Sequence, residues 1–153
     1  MLPIPQKCML VAGHGEGRHK LTAFDAALLD AGVGNLNLIR VSSILPPGAV
    51  IVEEGFPVPA GALTPTAYGT ITCDEPGTLI SAAIGVGVAR DSHGVIMEFS
   101  GLVSAAQAAE TVAAMVREGF EKRGLELADL KAKATEHRVE ADGCAFAAAV
   151  LWY

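Results

Sequence analysis

The sequence predicts an α+β protein: an α/β sandwich of mainly antiparallel strands with few helices. Three observations lead there. Strand-like runs far outnumber helical ones along the chain. Their order, β-α-β-β, then β-β-β, then α-β-β, lacks the regular strand–helix alternation of a parallel sheet. The apolar residues make up 51% of the chain with only 5% aromatic, so they are mostly Ala, Val, Leu and Ile, which pack helices and sheets in close layers. The 153 residues suit one domain, and no repeat or linker divides them.

The first strand is expected over Lys7–Ala12, followed by Gly13-His14-Gly15-Glu16-Gly17. That segment reads as a glycine-rich turn or as part of a site wall. A helix follows over Lys20–Ala31, with Phe24, Ala27, Leu28 and Ala31 on one face and Gly32 as its stop. Asn35–Leu45 alternates as one strand, closed by Pro46-Pro47-Gly48. A short strand is expected over Ala49–Glu53. Three prolines and two glycines make 55–66 a surface loop. Strands follow over Ala67–Cys73, Thr78–Arg90 and Gly94–Phe99. The first two look like an antiparallel pair joined at Asp74-Glu75-Pro76-Gly77.

The clearest helix is Ala105–Arg123. Ser104 and Gln107 form a capping box, Val112, Met115, Val116 and Phe120 the buried stripe, and Gly124 the stop. Strand-like runs over Lys131–Val139 and Cys144–Tyr153 close the chain.

Composition narrows the function. The net charge is −6 with no basic block, which argues against a nucleic-acid partner. Three scattered cysteines without a CxxC pair fit reduced thiols in a cytoplasm. The apolar run Met9–Ala12 is too short for a signal segment, and no stretch is long enough to cross a membrane. The four histidines show no metal-ligand spacing, and no P-loop, HExxH or complete GxGxxG is present.

Two places carry possible chemistry. Ser42-Ser43 ends an otherwise apolar strand, and a serine pair beside a turn is ordinary by itself. Glu98 interrupts the apolar run Val95-Ile96-Met97-Glu98-Phe99. A carboxyl in such a place is either solvent-facing on an edge strand or held with a raised pKa, which suits a general acid. Arg40 alternates with Leu38 and could form an ion pair across an interface, but the sequence does not say with what.

The stretch Leu21–Gly48, LTAFDAALLDAGVGNLNLIRVSSILPPG, resembles the pyruvoyl-dependent arginine decarboxylases. Asn37–Pro46 looks like that family's self-cleavage site, and Gly94–Gly101 is a second similar block. The resemblance is sharp in these two blocks and covers nearly the whole chain.

The resemblance implies a four-layer α/β/β/α sandwich and a covalent pyruvoyl cofactor derived from Ser43. It further implies that the chain is cut into 1–42 (the β subunit) and 43–153 (the α subunit). In that chemistry the Ser43 hydroxyl attacks the Ser42 carbonyl, helped by backbone strain, and the peptide becomes an ester. β-Elimination frees the Ser42 carboxylate and leaves dehydroalanine at 43. Hydrolysis then gives ammonia and the pyruvoyl group, which acts as the electron sink for decarboxylation.

By the same resemblance Asn37 supplies an amide to the developing oxyanion, and Glu98 is the proton donor. Asp25 receives the substrate guanidinium through paired hydrogen bonds, and Leu21, Leu28, Gly34 and Met97 line the pocket. The implied substrate is the amino acid arginine, and the implied assembly is a homotrimer or dimer of trimers with sites between subunits. Two alternatives stay open at this point: a related decarboxylase for another amino acid such as histidine, and an uncleaved, non-catalytic trimer that binds a small amine.

Overall fold

The structure, a computed structural model, describes residues 1–153 as two sheets between two helices. The elements are β1 (Lys7–Gly17), α1 (Lys20–Asp30), β2 (Asn37–Arg40), β3 (Ile44–Leu45), β4 (Val50–Ile51), β5 (Leu63–Cys73), β6 (Leu79–Ala89), β7 (Gly94–Gly101), α2 (Ala105–Arg123), β8 (Leu127–Arg138) and β9 (Asp142–Trp152). The first sheet has the order β2-β5-β9-β1-β4, with β2–β5 and β1–β4 parallel and the rest antiparallel. The second, β3-β7-β6-β8, is antiparallel throughout.

Alternation along the strands explains the layers, because successive side chains point to opposite faces. On β9, Ala145, Ala147, Ala149 and Leu151 face the second sheet. There they meet Ile80, Ala82, Ile84 and Val86 of β6 in the central core. The other face of β9, Cys144, Phe146, Ala148 and Val150, packs under Ala23, Ala27 and Leu28 of α1. Across the second sheet, Val112, Val116 and Phe120 of α2 cover Ala83, Ala89 and Val95. The result is the four-layer α/β/β/α sandwich that the resemblance implied.

Six local expectations change. The strand at the N-terminus does not turn at Gly13 but runs on to Gly17. Gly13, Gly15 and Gly17 fall on the face that α1 covers. A Cβ would overlap Ala27 O at Gly13 and Ala23 N at Gly17, and would come within 2.8 Å of the Ala26 Cβ at Gly15. The glycines are there for close helix approach, not for a bend. Replacing Gly13 with Ala is expected to force α1 outward and to cost about 1–3 kcal/mol, the usual range for overpacking. Denaturant unfolding of Gly13→Ala against the parent chain checks it.

The expected strand 35–45 is broken: β2 joins the first sheet, β3 joins the second, and Val41–Ser43 crosses between them. The strand at Ala67 starts earlier, at Leu63, because parallel pairing with β2 orders the end of the supposed loop. β5 and β6 do not pair. They belong to different sheets and stack face to face, since each has an apolar face to bury in the shared core. The run expected from Lys131 begins at Leu127, where pairing with β6 extends it. On α2 the buried stripe is Ala108, Val112, Val116, Gly119 and Phe120, while Met115 stays half-buried.

The capping box of α2 forms as expected. Gln107 N–H donates to Ser104 Oγ at 3.2 Å and Ser104 N–H to Gln107 Oε1 at 3.1 Å, and Gly124 adopts the left-handed stop. At the edge of the sandwich formed by β1 and β8, His137 bridges His14 and Glu16. Burial pushes the Glu16 carboxyl up. The His137 hydrogen bond and the Ala141 and Glu140 amides outweigh that and hold it below its ordinary range.

Candidate active site

The opposite edge, where β2 and β3 lie, carries the serine pair. β2 ends at Arg40, where Val41 N–H still donates to Thr66 O at 3.1 Å. The chain then leaves the first sheet. Ser42 is exposed, and its carbonyl accepts no hydrogen bond within the chain. Ser43 is half-buried. Its carbonyl accepts from Ile96 N–H at 2.7 Å, continuing the β3–β7 register of Ile44 with Val95. The Ser42–Ser43 peptide therefore joins two strands anchored independently in different sheets. The backbone strain anticipated here does not take the form of a left-handed residue, since no non-glycine residue has positive φ.

Glu98 stands two residues beyond Ile96 on the same face of β7. Its side chain lies between the sheets and is 31% exposed, close to the backbone of Gly69. Burial pushes its carboxyl up, and the Arg40 guanidinium partly opposes this by favouring the charged form. Arg40 Nη2 is 3.8 Å from Glu98 Oε1, too far for a normal hydrogen bond. The same nitrogen donates to Tyr68 O at 2.8 Å, and the guanidinium carbon sits 4.6 Å from the centre of the Tyr68 ring. Tyr68 in turn packs on Phe24 and Phe146, at ring separations of 6.4 and 5.4 Å. An aromatic stack thus links α1 to Arg40 and Glu98. Tyr68 has no local sequence signal for this role, because its partners come from β2, α1 and β9.

The remaining residues singled out in the sequence spread over other surfaces. Met97, next to Glu98, points the opposite way and packs with Val95, Val116 and Phe120 beneath α2. Asp25 is exposed on α1, and Leu28 is buried under that helix. Leu21 is exposed and borders a groove of about 510 Å3 with Lys20, Phe24, Thr70 and Thr72. Gly34 lies against Leu29 in the turn after α1. Asn37 opens β2, and its amide donates to Gly61 O at 2.9 Å. Within one chain Ser43, Glu98 and Arg40 come together along β7. Asn37 sits at the far end of β2 from the serines.

The residues around Ser43 fit a carbonyl group made from that serine. Its own C=O is already fixed by Ile96 N–H, and β3 stays paired with β7 if the link to Ser42 is cut. Segments before the link (β1, α1 and β2) keep their places through β9, β5 and the α1-facing core.

Fold and site define a four-layer sandwich protein with a serine pair at the crossing between its sheets and a half-buried acid beside it. Residues 7–153 match the sequence profile of the family described as pyruvoyl-dependent arginine decarboxylase (PvlArgDC). A pyruvoyl-dependent arginine decarboxylase of Methanocaldococcus jannaschii is 54% identical over 152 residues, covering 98% of this chain and 92% of that one. One from Methanococcus maripaludis strain C7 is 47% identical over 151 residues (97% and 92%), and one from Thermococcus kodakarensis is 42% identical over 150 residues (97% and 96%). The chain belongs to the pyruvoyl-dependent arginine decarboxylase family.

Proposed function

We propose that this protein converts L-arginine to agmatine and carbon dioxide, using a pyruvoyl group that it makes from its own Ser43. The placement of Ser43 carries the reading. It stands at the crossing between sheets, with its carbonyl pinned to Ile96 N–H and Glu98 on the same face of β7. Attack of Ser43 Oγ on the Ser42 carbonyl, elimination and hydrolysis consume one water and release one ammonia. They leave fragments 1–42 and 43–153, held together by the four layers.

The pyruvoyl group supplies an electrophilic carbonyl that takes up the substrate's amine and accepts the electron pair freed as carbon dioxide leaves. The chain's own residues do the rest. Ile96 N–H keeps residue 43 in register. Glu98, whose carboxyl is raised by burial, holds a proton at neutral pH more readily than a solvated glutamate and delivers it to the substrate α-carbon. Asn37 offers its amide to the oxyanion, and Leu21, Leu28 and Gly34 shape the pocket, with Met97 packed on the far face of β7 beneath α2.

Asn37 opens β2 and Ser43 lies beyond its other end in the crossing between the sheets, so a site that uses both draws them from neighbouring copies. This supports a homotrimer, or a dimer of trimers. Exposed apolar residues on both sides of the serine pair support it too: Ile39, Ile44 and Leu63. A groove of about 380 Å3 lined by Val41, Ser42, Ile44, Pro46 and Pro65 opens beside them. No helix is long and apolar enough to cross a membrane. Unpaired cysteines support a reducing cytoplasm, with the Cys8 thiol pushed up to about 12 by burial.

Asp25 is assigned the guanidinium. A charge-assisted pair of this kind contributes about 1.5–3 kcal/mol. Asp25→Asn is therefore expected to raise KM for arginine roughly 10- to 100-fold, with a smaller change in kcat. Steady-state release of agmatine and carbon dioxide, with arginine, lysine and histidine compared as substrates, tests the assignment. Equal turnover of histidine and arginine by the parent chain would remove it.

A further inference from the structure

Arg40 is the last residue of β2 to pair with β5, opposite Thr66. The next carbonyl along that edge of β5 after Thr66 O belongs to Tyr68, and it has no strand partner there. The Arg40 side chain supplies the missing donor at 2.8 Å, so it caps the edge where the strand leaves. The Tyr68 ring fixes the guanidinium plane from one side at 4.6 Å. Held at two points, the guanidinium keeps a charge 3.8 Å from Glu98 without a hydrogen bond that would tie up the carboxyl.

We propose that Arg40 is a positioning residue for the decarboxylation, clamped by Tyr68 so that its charge orients Glu98 and sets the pH above which Glu98 stops delivering a proton. The inference rests on the reading of Glu98 as the proton donor.

Other groups around Glu98 do not substitute for Arg40. β3 and β6 carry no charged side chain. The titratable residues of β5 are Tyr68, whose ring turns toward α1, and Cys73, which pairs opposite Gly143 at the far end of the strand. On β9, Cys144 faces α1, and Asp142 lies near that same far end. α2 packs on the opposite face of β7, against Val95 and Met97, so Arg40 is the one cation facing the Glu98 carboxyl.

Burial favours the protonated acid and Arg40 favours the carboxylate. Neutralising Arg40 moves Glu98 toward higher pH and makes it a weaker acid. Arg40→Gln keeps an amide donor for Tyr68 O but removes the charge, while Arg40→Lys restores the charge. In the cleaved enzyme, kcat of Arg40→Gln is expected to be lower on its plateau, with the alkaline limb displaced to higher pH. Arg40→Lys is expected to recover most of the parent profile.

A second readout does not depend on turnover. The Glu98 carboxyl carbon is titrated by NMR in protein labelled at glutamate Cδ, cleaved or uncut, with Glu98→Gln assigning the signal. A midpoint displaced upward in Arg40→Gln and returned toward the parent's in Arg40→Lys supports the proposal. An unmoved midpoint and unmoved alkaline limb, in an enzyme that Glu98→Gln inactivates, overturn the proposal alone. Full activity of Glu98→Gln overturns the proton-donor reading and this proposal with it.

Discussion

A Ser43→Ala chain is expected to persist as one uncut polypeptide and to release no agmatine. The hydroxyl at 43 serves twice, first as nucleophile toward the Ser42 carbonyl and then as the oxygen lost in elimination. Alanine offers neither, so no electrophile forms, and the loss of activity is complete rather than graded. The fold should survive. Ser43 is a half-buried residue outside β2 and β3, and what the structure uses of it is its carbonyl, held by Ile96 N–H. An unchanged circular dichroism spectrum beside a single band on a denaturing gel would show that chemistry, not folding, has been removed. Agmatine production by Ser43→Ala would sink the assignment of Ser43.

Glu98→Gln is expected to behave differently: cut normally, yet slow. Cleavage needs the Ser43 oxygen and the Ser42 carbonyl, and glutamine preserves the shape between the sheets. What disappears is the proton. General acid–base groups contribute roughly 10²–10⁴-fold to rate, and kcat should fall by that order with KM changed much less. In the proposed mechanism the acid form of Glu98 is the working one. Its carboxyl is raised by burial, so activity should extend above the ordinary carboxylate range and decline as pH rises through the Glu98 midpoint. Glu98→Gln should lack that decline. A variant retaining the full rate and the parent pH profile would place the proton elsewhere.

The strand-rich α/β class was legible in the chain because strand alternation and the α2 pattern are local signals, while the four layers followed from the family resemblance. Ser104, Gln107 and Gly124 mark their helix with side chains that act within one turn of it. What escaped depended on partners far away in sequence. Gly13, Gly15 and Gly17 read as a turn until α1 is laid across them. The break between β2 and β3 is invisible in the alternation from Asn35 to Leu45, because both halves are extended and only their choice of sheet differs. β5 and β6 looked like a hairpin because a turn separates two apolar strands, but a sandwich can stack such strands instead of pairing them.

At the site, the serine pair and Glu98 stood out through their neighbours in the chain. The Tyr68 clamp on Arg40 did not, since it joins three strands and a helix. Asp25 and Asn37 present the same limit in another form. Their positions, on α1 and at the start of β2, lie away from Ser43 within one chain, and only the proposed trimer would bring them to it from a neighbouring copy.

If the chain makes its own cofactor at Ser43, the intact mass of the purified protein under denaturing conditions reveals it. Two species are expected, 1–42 and 43–153, with the larger one lighter by one ammonia than its serine-started form. A single species with the mass of the whole chain, persisting after long incubation, would contradict it.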